Sequence, residues 1–187
     1  MDNMLKELID LFNQGKYEKV ESLCKSVSQK YKNNFLFCKL IGLTYLKKNN
    51  YDESIHYFKQ SINIKKDDFE VYLNCAIAYI NKDEFKKSLY YLKKSLQLNS
   101  DNEFIFNSLG FVYSKLEKYD QAIDYLYKAI LINKNFDDAN YNIGITFQKL
   151  NKFDESEKYL EKIDLENYIY PDASLYLAIS KRKLKKN

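Results

Sequence analysis

The side chains that could carry out catalysis or bind a metal are few and scattered. The sequence has one histidine, His56, and three cysteines, Cys24, Cys38 and Cys75, none of which are paired at the spacing of metal ligands. It contains no glycine-rich phosphate loop, no nucleophile elbow and no zinc motif. A lone surface histidine is the expected interpretation of His56. We therefore expect no catalysis, no cofactor and no metal site.

The charge pattern disfavours nucleic acid as a partner. The net charge is +4, and Arg182 is the single arginine among 30 basic residues. Arginine supplies the forked hydrogen bonds that recognise phosphates and guanine edges. A chain with almost no arginine is therefore poorly suited to recognise nucleic acid. The basic tail at 181–186 has two interpretations, a solvated helix end and a contact for an anionic surface. We favour the first.

Cysteine usage and hydropathy indicate a cytoplasmic protein. Three cysteines cannot form a complete set of disulfides, which suits a reducing compartment. The N-terminus, MDNMLKELIDLF, carries charges throughout and lacks the apolar stretch of a signal peptide. No segment approaches the roughly 20 apolar residues that span a membrane, so we expect no membrane insertion.

Three glycines show an internal repeat. Gly110 and Gly144 are 34 residues apart, Gly42 precedes Gly110 by twice that distance, and small Ala76 lies between them. Units that begin at residue 1 and recur every 34 residues then cover the chain without insertion. They are 1–34, 35–68, 69–102, 103–136 and 137–170, followed by a half unit, 171–187. We number positions from the first residue of each unit and expect one continuous domain, 1–187.

Several positions keep their residue type in every unit. Position 17 is always aromatic and position 20 is mostly small, and each unit reads as two helices with a short polar link, such as Glu117-Lys118. Small residues at positions 8 and 20 allow two helices to approach closely. We expect the rings of Tyr113 and Tyr119 to fill the gap beside them.

These units resemble tetratricopeptide repeats (TPRs). The segment 103–136 matches that family's pattern through Phe106, Leu109, Gly110, Tyr113, Ala122, Leu126 and Ala129. The resemblance covers essentially the whole chain and implies an all-α, right-handed α-solenoid of about 5.5 helix-turn-helix repeats with eleven helices. The chain departs from the family because position 32 is never proline. Ile163 replaces a small residue, and 164–170 is polar and irregular.

The half unit resembles the solvating helix that caps such arrays. Pro171 suits the start of a helix, since its missing N–H would be unpaired there. Four apolar residues are predicted to face the preceding repeat: Leu175, Leu177, Ala178 and Leu184.

The resemblance also implies that the first helix of each unit lines a concave groove that binds a peptide. Carried over by position, the groove residues would be Leu5, Ile9, Phe12, Lys39, Leu43, Leu46, Lys47, Leu73, Ile77, Ile80, Asn107, Phe111, Tyr141 and Ile145. An apolar floor with a basic edge suits an amphipathic helix or an extended peptide with some acidic residues. The alternative, equally weighted, is that position 9 packs between neighbouring first helices and exposes little.

The expected function is therefore a scaffold or adaptor whose partner is another protein or peptide. The family's clamp for the carboxyl terminus of chaperones is rejected because Leu43 stands where that clamp needs asparagine, and Phe104 and Ser108 stand where it needs cationic side chains. Two alternatives stay open, a self-associating structural repeat protein and a helper subunit of a larger complex. We expect a monomer, with a homodimer as the alternative.

Overall fold

The computed structural model describes residues 2–163 and 170–184, and within them it contains eleven α-helices and no strand. This confirms the predicted all-α repeat fold. The helices are α1 (Asn3–Asn13), α2 (Tyr17–Tyr31), α3 (Phe35–Lys47), α4 (Tyr51–Ile64), α5 (Phe69–Asn81), α6 (Phe85–Leu98), α7 (Glu103–Lys115), α8 (Tyr119–Ile132), α9 (Asp137–Lys149), α10 (Phe153–Leu160) and α11 (Ala173–Leu184). They form two compact units, 1–99 and 100–187, each described by itself below. The continuous single array stays a prediction.

Side-chain caps start the first helix of several repeats. Asn34, Asp68 and Asn102 each precede such a helix, and each accepts a hydrogen bond from the backbone N–H three residues later, at 3.0–3.1 Å. These bonds satisfy N–H groups that have no partner within the helix. The caps recur every 34 residues and so set the register of the repeat.

The turn between the two helices of a repeat has the same backbone in all five units. Position 15 has a positive φ each time, from 56° to 70°, and is occupied by Gly15, Asn49, Asp83, Glu117 and Asn151. The N–H of the next residue donates to the carbonyl of position 11, at 2.9–3.0 Å. This is the helix-ending motif that glycine and asparagine favour. The polar link predicted from the sequence is therefore a specific left-handed turn.

The two helices of a repeat approach most closely at position 8. A Cβ built on Gly42 would lie 2.7 Å from the ring of Phe58, and one on Gly144 would lie 2.7 Å from Leu160. At Gly110 the side chain of Leu126 occupies the same place. Position 24 thus fills the gap, so the expectation that rings at positions 11 and 17 fill it was wrong. The ring of Tyr113 stacks on another ring instead.

That stacking joins positions 11 and 23 within a repeat. The ring pairs are Tyr45–Tyr57, Tyr79–Tyr91, Tyr113–Tyr125 and Phe147–Tyr159, with centroids 5.3–5.9 Å apart and interplanar angles of 21° or less. In the first repeat the same positions hold Leu11 and Leu23. Aromatic pairs of this kind add to the free energy of apolar burial.

Within each compact unit, neighbouring repeats are joined by apolar packing and by ion pairs. The second helix of a repeat packs against the first helix of the next, as α2 does on α3 and α8 on α9. Lys48 pairs with Glu18 at 2.6 Å and also with Glu21, and Lys82 pairs with Asp52. Both lysines occupy position 14, and Glu18 and Asp52 both occupy position 18 of the preceding repeat.

The terminal helix α11 buries a different face from the one predicted. Ala173 and Ser180 are buried and Leu177 is half-buried, whereas Leu175 is 59% exposed and Ala178 is exposed. The prediction was wrong for the last two because hydrogen bonds orient the helix. Gln148 donates to the carbonyl of Tyr176 and to the Ser180 hydroxyl, which donates to Ser156 at 3.1 Å.

The charged end of α11 also contacts the preceding repeat. Lys181 pairs with Glu161 at 2.8 Å, which agrees with a capping role. The predicted irregular segment at 164–169 and the last basic residues of the tail, 185–186, lie outside the described residues.

The left-handed turn predicts a stabilising substitution. Glu117 has a φ of 60°, which costs a residue with a Cβ about 1–2 kcal/mol. We expect Glu117→Gly to raise the free energy of unfolding by about 0.5–1 kcal/mol in urea denaturation, after allowing for glycine's larger loss of backbone entropy. The matched control is Lys118→Gly, since Lys118 has a φ of −92° and glycine there should be destabilising. Equal destabilisation by both variants would contradict the explanation.

The ion pairs of Glu21 predict a pH-dependent stability. Hydrogen bonds from Lys25 and Lys48 lower the pKa of Glu21 from 4.5 to about 2. Its stabilisation is therefore complete above pH 4.5 and is lost as the pH falls toward 2. We expect Glu21→Gln to lower the free energy of unfolding by about 1–2 kcal/mol at neutral pH, discounted for partial exposure, with little difference from the parent near pH 2. Glu7→Gln, at an exposed residue of α1, is the control and should have little effect at either pH.

Candidate functional site

Groups that could perform catalysis are dispersed in the structure. His56 is exposed on α4, where the Gln60 side-chain amide donates to its Nε2 at 3.0 Å. The three cysteines are buried and free, and burial raises the pKa of Cys24 and Cys75 to about 12 and that of Cys38 to about 11. Among the residues that the structure describes, no three His, Cys, Asp or Glu side chains converge as metal ligands.

An apolar row runs across the first helices of residues 1–99. The neighbouring helices α1, α3 and α5 each contribute two half-buried side chains, at positions 9 and 12: Ile9, Phe12, Leu43, Leu46, Ile77 and Ile80. We call these six residues the first-helix face. Ile9, Phe12, Leu43 and Leu46 pack with one side against the buried core. Both interpretations of position 9 therefore hold in part. These side chains pack between neighbouring helices, and they also keep part of their surface exposed to a ligand.

Two predicted groove residues belong to the core. Leu5 is 5% exposed and Leu73 is 8% exposed, because the adjoining helices cover them. In this conformation they support the first-helix face and offer a ligand almost no surface.

The basic edge predicted for the groove is partly neutralised. Lys39 lies 3.2 Å from a carboxylate oxygen of Asp68, the last residue of its own repeat, and 2.6 Å from Glu70 of the next repeat. Lys47, one position beyond the first-helix face, is exposed. The charge available to a ligand is therefore smaller than the lysine count in the sequence indicates.

The equivalent face of residues 100–187 is more polar. Phe111 and Ile145 are half-buried, and Asn142 donates to Asn107 at 2.9 Å. Tyr141 stacks on Tyr170 with centroids 5.1 Å apart. At position 12 this unit carries Ser114 and Gln148 where the other unit carries aliphatic and aromatic residues. The four predicted residues are present on first helices, but they do not form an apolar row.

Two exposed apolar residues were not singled out from the sequence. Leu36 is 44% exposed on α3 and Phe104 is 52% exposed on α7, both at position 2. The other occupants of that position are Asp2, Glu70, Asp138 and Asp172. The sequence did contain a signal for them, namely an apolar residue at a position that is acidic in the other units.

No helix in the described part of the chain combines the length and the apolar composition needed to cross a lipid bilayer.

Comparison with known proteins gives the same repeat and the same fold. Residues 38–68 and 137–164 match one tetratricopeptide repeat model, and residues 104–136 match another. No curated protein sequence matches the chain.

Several solved structures are similar over nearly their whole length. A structure of MamA is 23% identical, with a TM-score of 0.75 over 94% of this chain and 97% of that one. YrrB, described as a TPR protein with an unusual peptide-binding site, is 17% identical, with a TM-score of 0.76 over 95% and 90%. TTC0263, a TPR protein from Thermus thermophilus, is 17% identical, with a TM-score of 0.72 over 95% and 97%. At these identities the likeness concerns the fold.

The matched segments fall on the second, fourth and fifth of the 34-residue units defined above. Their helix pairs share the close contact at position 8 and the ring stacking between positions 11 and 23. The chain is a member of the tetratricopeptide repeat family.

Proposed function

We propose that the protein is a protein-interaction adaptor that binds an amphipathic helix or an extended peptide of a partner on its first-helix face. The observation that carries this proposal is the row of six half-buried apolar side chains on α1, α3 and α5. Side chains of this kind keep apolar surface in contact with water, and a ligand that covers it gains the free energy of burial.

The row is suited to recognition because its support is rigid. Leu5 and Leu73 lie beneath it, and α3 contacts both α1 and α5. A surface held in place by packed helices loses little conformational entropy when a ligand binds, so more of the burial free energy becomes affinity. The peptide-binding site attributed to YrrB, a protein with a similar fold, supports this assignment.

Apolar anchors, more than charge, should determine affinity at this face. Lys39 is already paired with Asp68 and Glu70, so an acidic ligand would compete with carboxylates of the protein itself. Exposed Lys47 can still attract an acidic residue beside the apolar row. We therefore expect a partner segment with two or three large apolar residues and a modest acidic content.

The other parts of the functional assignment follow from the same features. Three free, buried thiols suit a reducing compartment, and we propose the cytoplasm. The chemistry of the site requires no cofactor and no catalytic group. Self-association and service as a helper subunit are the competing functions, and the experiment below distinguishes self-association from binding to a different protein.

The first-helix face predicts the effect of a double substitution. We expect Leu43→Asp with Ile77→Asp to weaken binding of a partner by about tenfold or more, because two apolar anchors are replaced by charges that must be desolvated. The partner would be recovered by affinity capture from the native host and identified by mass spectrometry. Binding of its peptide would then be titrated by fluorescence anisotropy.

The matched control is Tyr90→Asp, which introduces the same group at a 58% exposed residue of α6. It should leave affinity unchanged, and circular dichroism should show native helicity in both proteins. Undiminished binding by the double variant would refute the assignment of this face. A dimer mass in light scattering that the double variant converts to a monomer mass would favour self-association instead.

A further inference from the structure

A second surface, separate from the first-helix face, lies between the second helices α8 and α10. It is a cleft of about 320 Å³, with Asp120, Asp124 and Tyr127 from α8 on one side. Glu155 of α10 and Lys152 are on the other side, and Phe147 of α9 contributes to the floor. Three carboxylates and one ammonium give the cleft a net negative charge.

The carboxylates of this cleft outnumber the one lysine among the described residues that line it. Within residues 2–163 and 170–184, Asp120, Asp124 and Glu155 form no ion pair. Tyr127 and Phe147 line the cleft, and both contact Tyr159, over whose ring Lys162 lies at 4.6 Å from the centroid. Negative charge beside an aromatic surface is an environment that attracts a cation.

The equivalent groove in residues 1–99 lies between α4 and α6, and it shows which cations contact such a surface. There Lys82, at position 14, pairs with Asp52, which corresponds to Asp120. Lys59 and Lys87 each lie 5.7 Å from the centroid of Tyr79, the residue that corresponds to Phe147. Three lysines of the chain itself thus provide the cations for this groove.

The groove between α2 and α4 follows the same rule. Lys48, again at position 14, pairs with Glu18 at 2.6 Å and also with Glu21. Lys25, at position 25, pairs with Glu21 at 2.6 Å. Both grooves of residues 1–99 therefore combine a carboxylate at position 18 with lysines at positions 14 and 25.

The cleft between α8 and α10 keeps the carboxylate and lacks these lysines. Leu150 stands at position 14, Tyr127 at position 25 and Glu155 at position 19, where the α4–α6 groove has Lys82, Lys59 and Lys87. In the described part of the chain, no lysine lies over the ring of Phe147 as two do over Tyr79. The same backbone arrangement thus presents an acidic surface beside aromatic side chains, with Lys152 as the one lysine among the described residues that line it.

We propose that this cleft binds a lysine or arginine side chain of a basic segment in a partner protein. The incoming cation would take the place that lysines occupy in the equivalent grooves, with Asp120 and Asp124 as ion-pair partners, beside Phe147, which like Tyr79 is only 5% exposed. Leu131, one helical turn after Tyr127 and 78% exposed, provides an apolar contact for a neighbouring residue of that segment. The proposal does not depend on the function assigned to the first-helix face.

The test uses the full-length protein, uniformly labelled with ¹⁵N, and a short capped peptide that contains two arginines and one leucine. We expect saturable amide shifts confined to residues around 120–131 and 147–155, which weaken as salt is added. A matched peptide with glutamine in place of both arginines should produce no saturable shifts. Saturable shifts centred elsewhere, or equal binding of the glutamine peptide, would overturn the proposal.

Two substitutions at one residue give the sharpest comparison. Tyr127→Lys places a lysine where Lys59 and Lys25 stand, so the protein's own cation should occupy the cleft and weaken the arginine peptide about tenfold. Tyr127→Leu removes the same ring without adding a charge and should stay within about threefold of the parent. Equal affinities of these two variants would contradict the proposal, and thermal denaturation would verify that both are folded.

A charge-matched pair separates specific recognition from general attraction. Asp120→Asn with Asp124→Asn should weaken the arginine peptide about tenfold. Glu7→Gln with Asp10→Asn, both exposed on α1, changes the net charge equally and should leave affinity unchanged. Equal losses in the two double variants would overturn the proposal. Leu43→Asp with Ile77→Asp should bind the arginine peptide normally, so failure of this proposal and failure of the first-helix assignment can be told apart.

Discussion

The contact between positions 8 and 24 is the constraint on which each repeat depends. In every full unit both residues are buried, and the one large residue at position 8 accompanies the smallest residue at position 24. Glycine at position 8 faces Phe58, Leu126 or Leu160, Ala76 accompanies Leu92, and Leu8 accompanies the smaller Cys24. A packed interior tolerates little change in total volume, so the pair must be considered together. The first repeat, which lacks a small residue at position 8, follows the rule because position 24 is small instead.

The helix pairs could be predicted from the sequence because their signals are local or strictly periodic. These signals can be read directly from the sequence. They are the 34-residue spacing, the aromatic residues at position 17 and the links that contain asparagine or glycine. The partner across each close contact was not predictable in the same way. Tyr113 is as suitable as Leu126 to cover Gly110 by composition, and the angle between the helices decides that Leu126 does so and that Tyr113 stacks on Tyr125.

The sequence could predict which positions of the repeat contribute to the candidate site, but not how exposed those residues are. The position within the repeat specifies which side of a helix a residue occupies. Packing of the neighbouring repeats determines how much of its side chain is exposed to solvent. Leu73 and Ile77 are one helical turn apart, yet the first is buried and the second half-buried. The predicted positive edge included Lys39, which is neutralised by Asp68 of its own repeat and Glu70 of the following one. Exposure and net charge are properties of neighbouring repeats together, which explains why comparison within one unit missed them.

Buried contacts hold the helices together, so surface residues can change without altering the backbone. One backbone can therefore carry different binding chemistry. An exposed ion pair contributes only about 0–1 kcal/mol, whereas the fully covered side chain at position 24 contributes up to several times as much through apolar burial. Leu150 can therefore replace the lysine of position 14 without loss of the helix arrangement. What changes is the charge left at Asp120, which in equivalent grooves is used to join repeats. A repeat that lacks such a pair loses little stability and leaves a carboxylate with which a cation of a partner protein can pair.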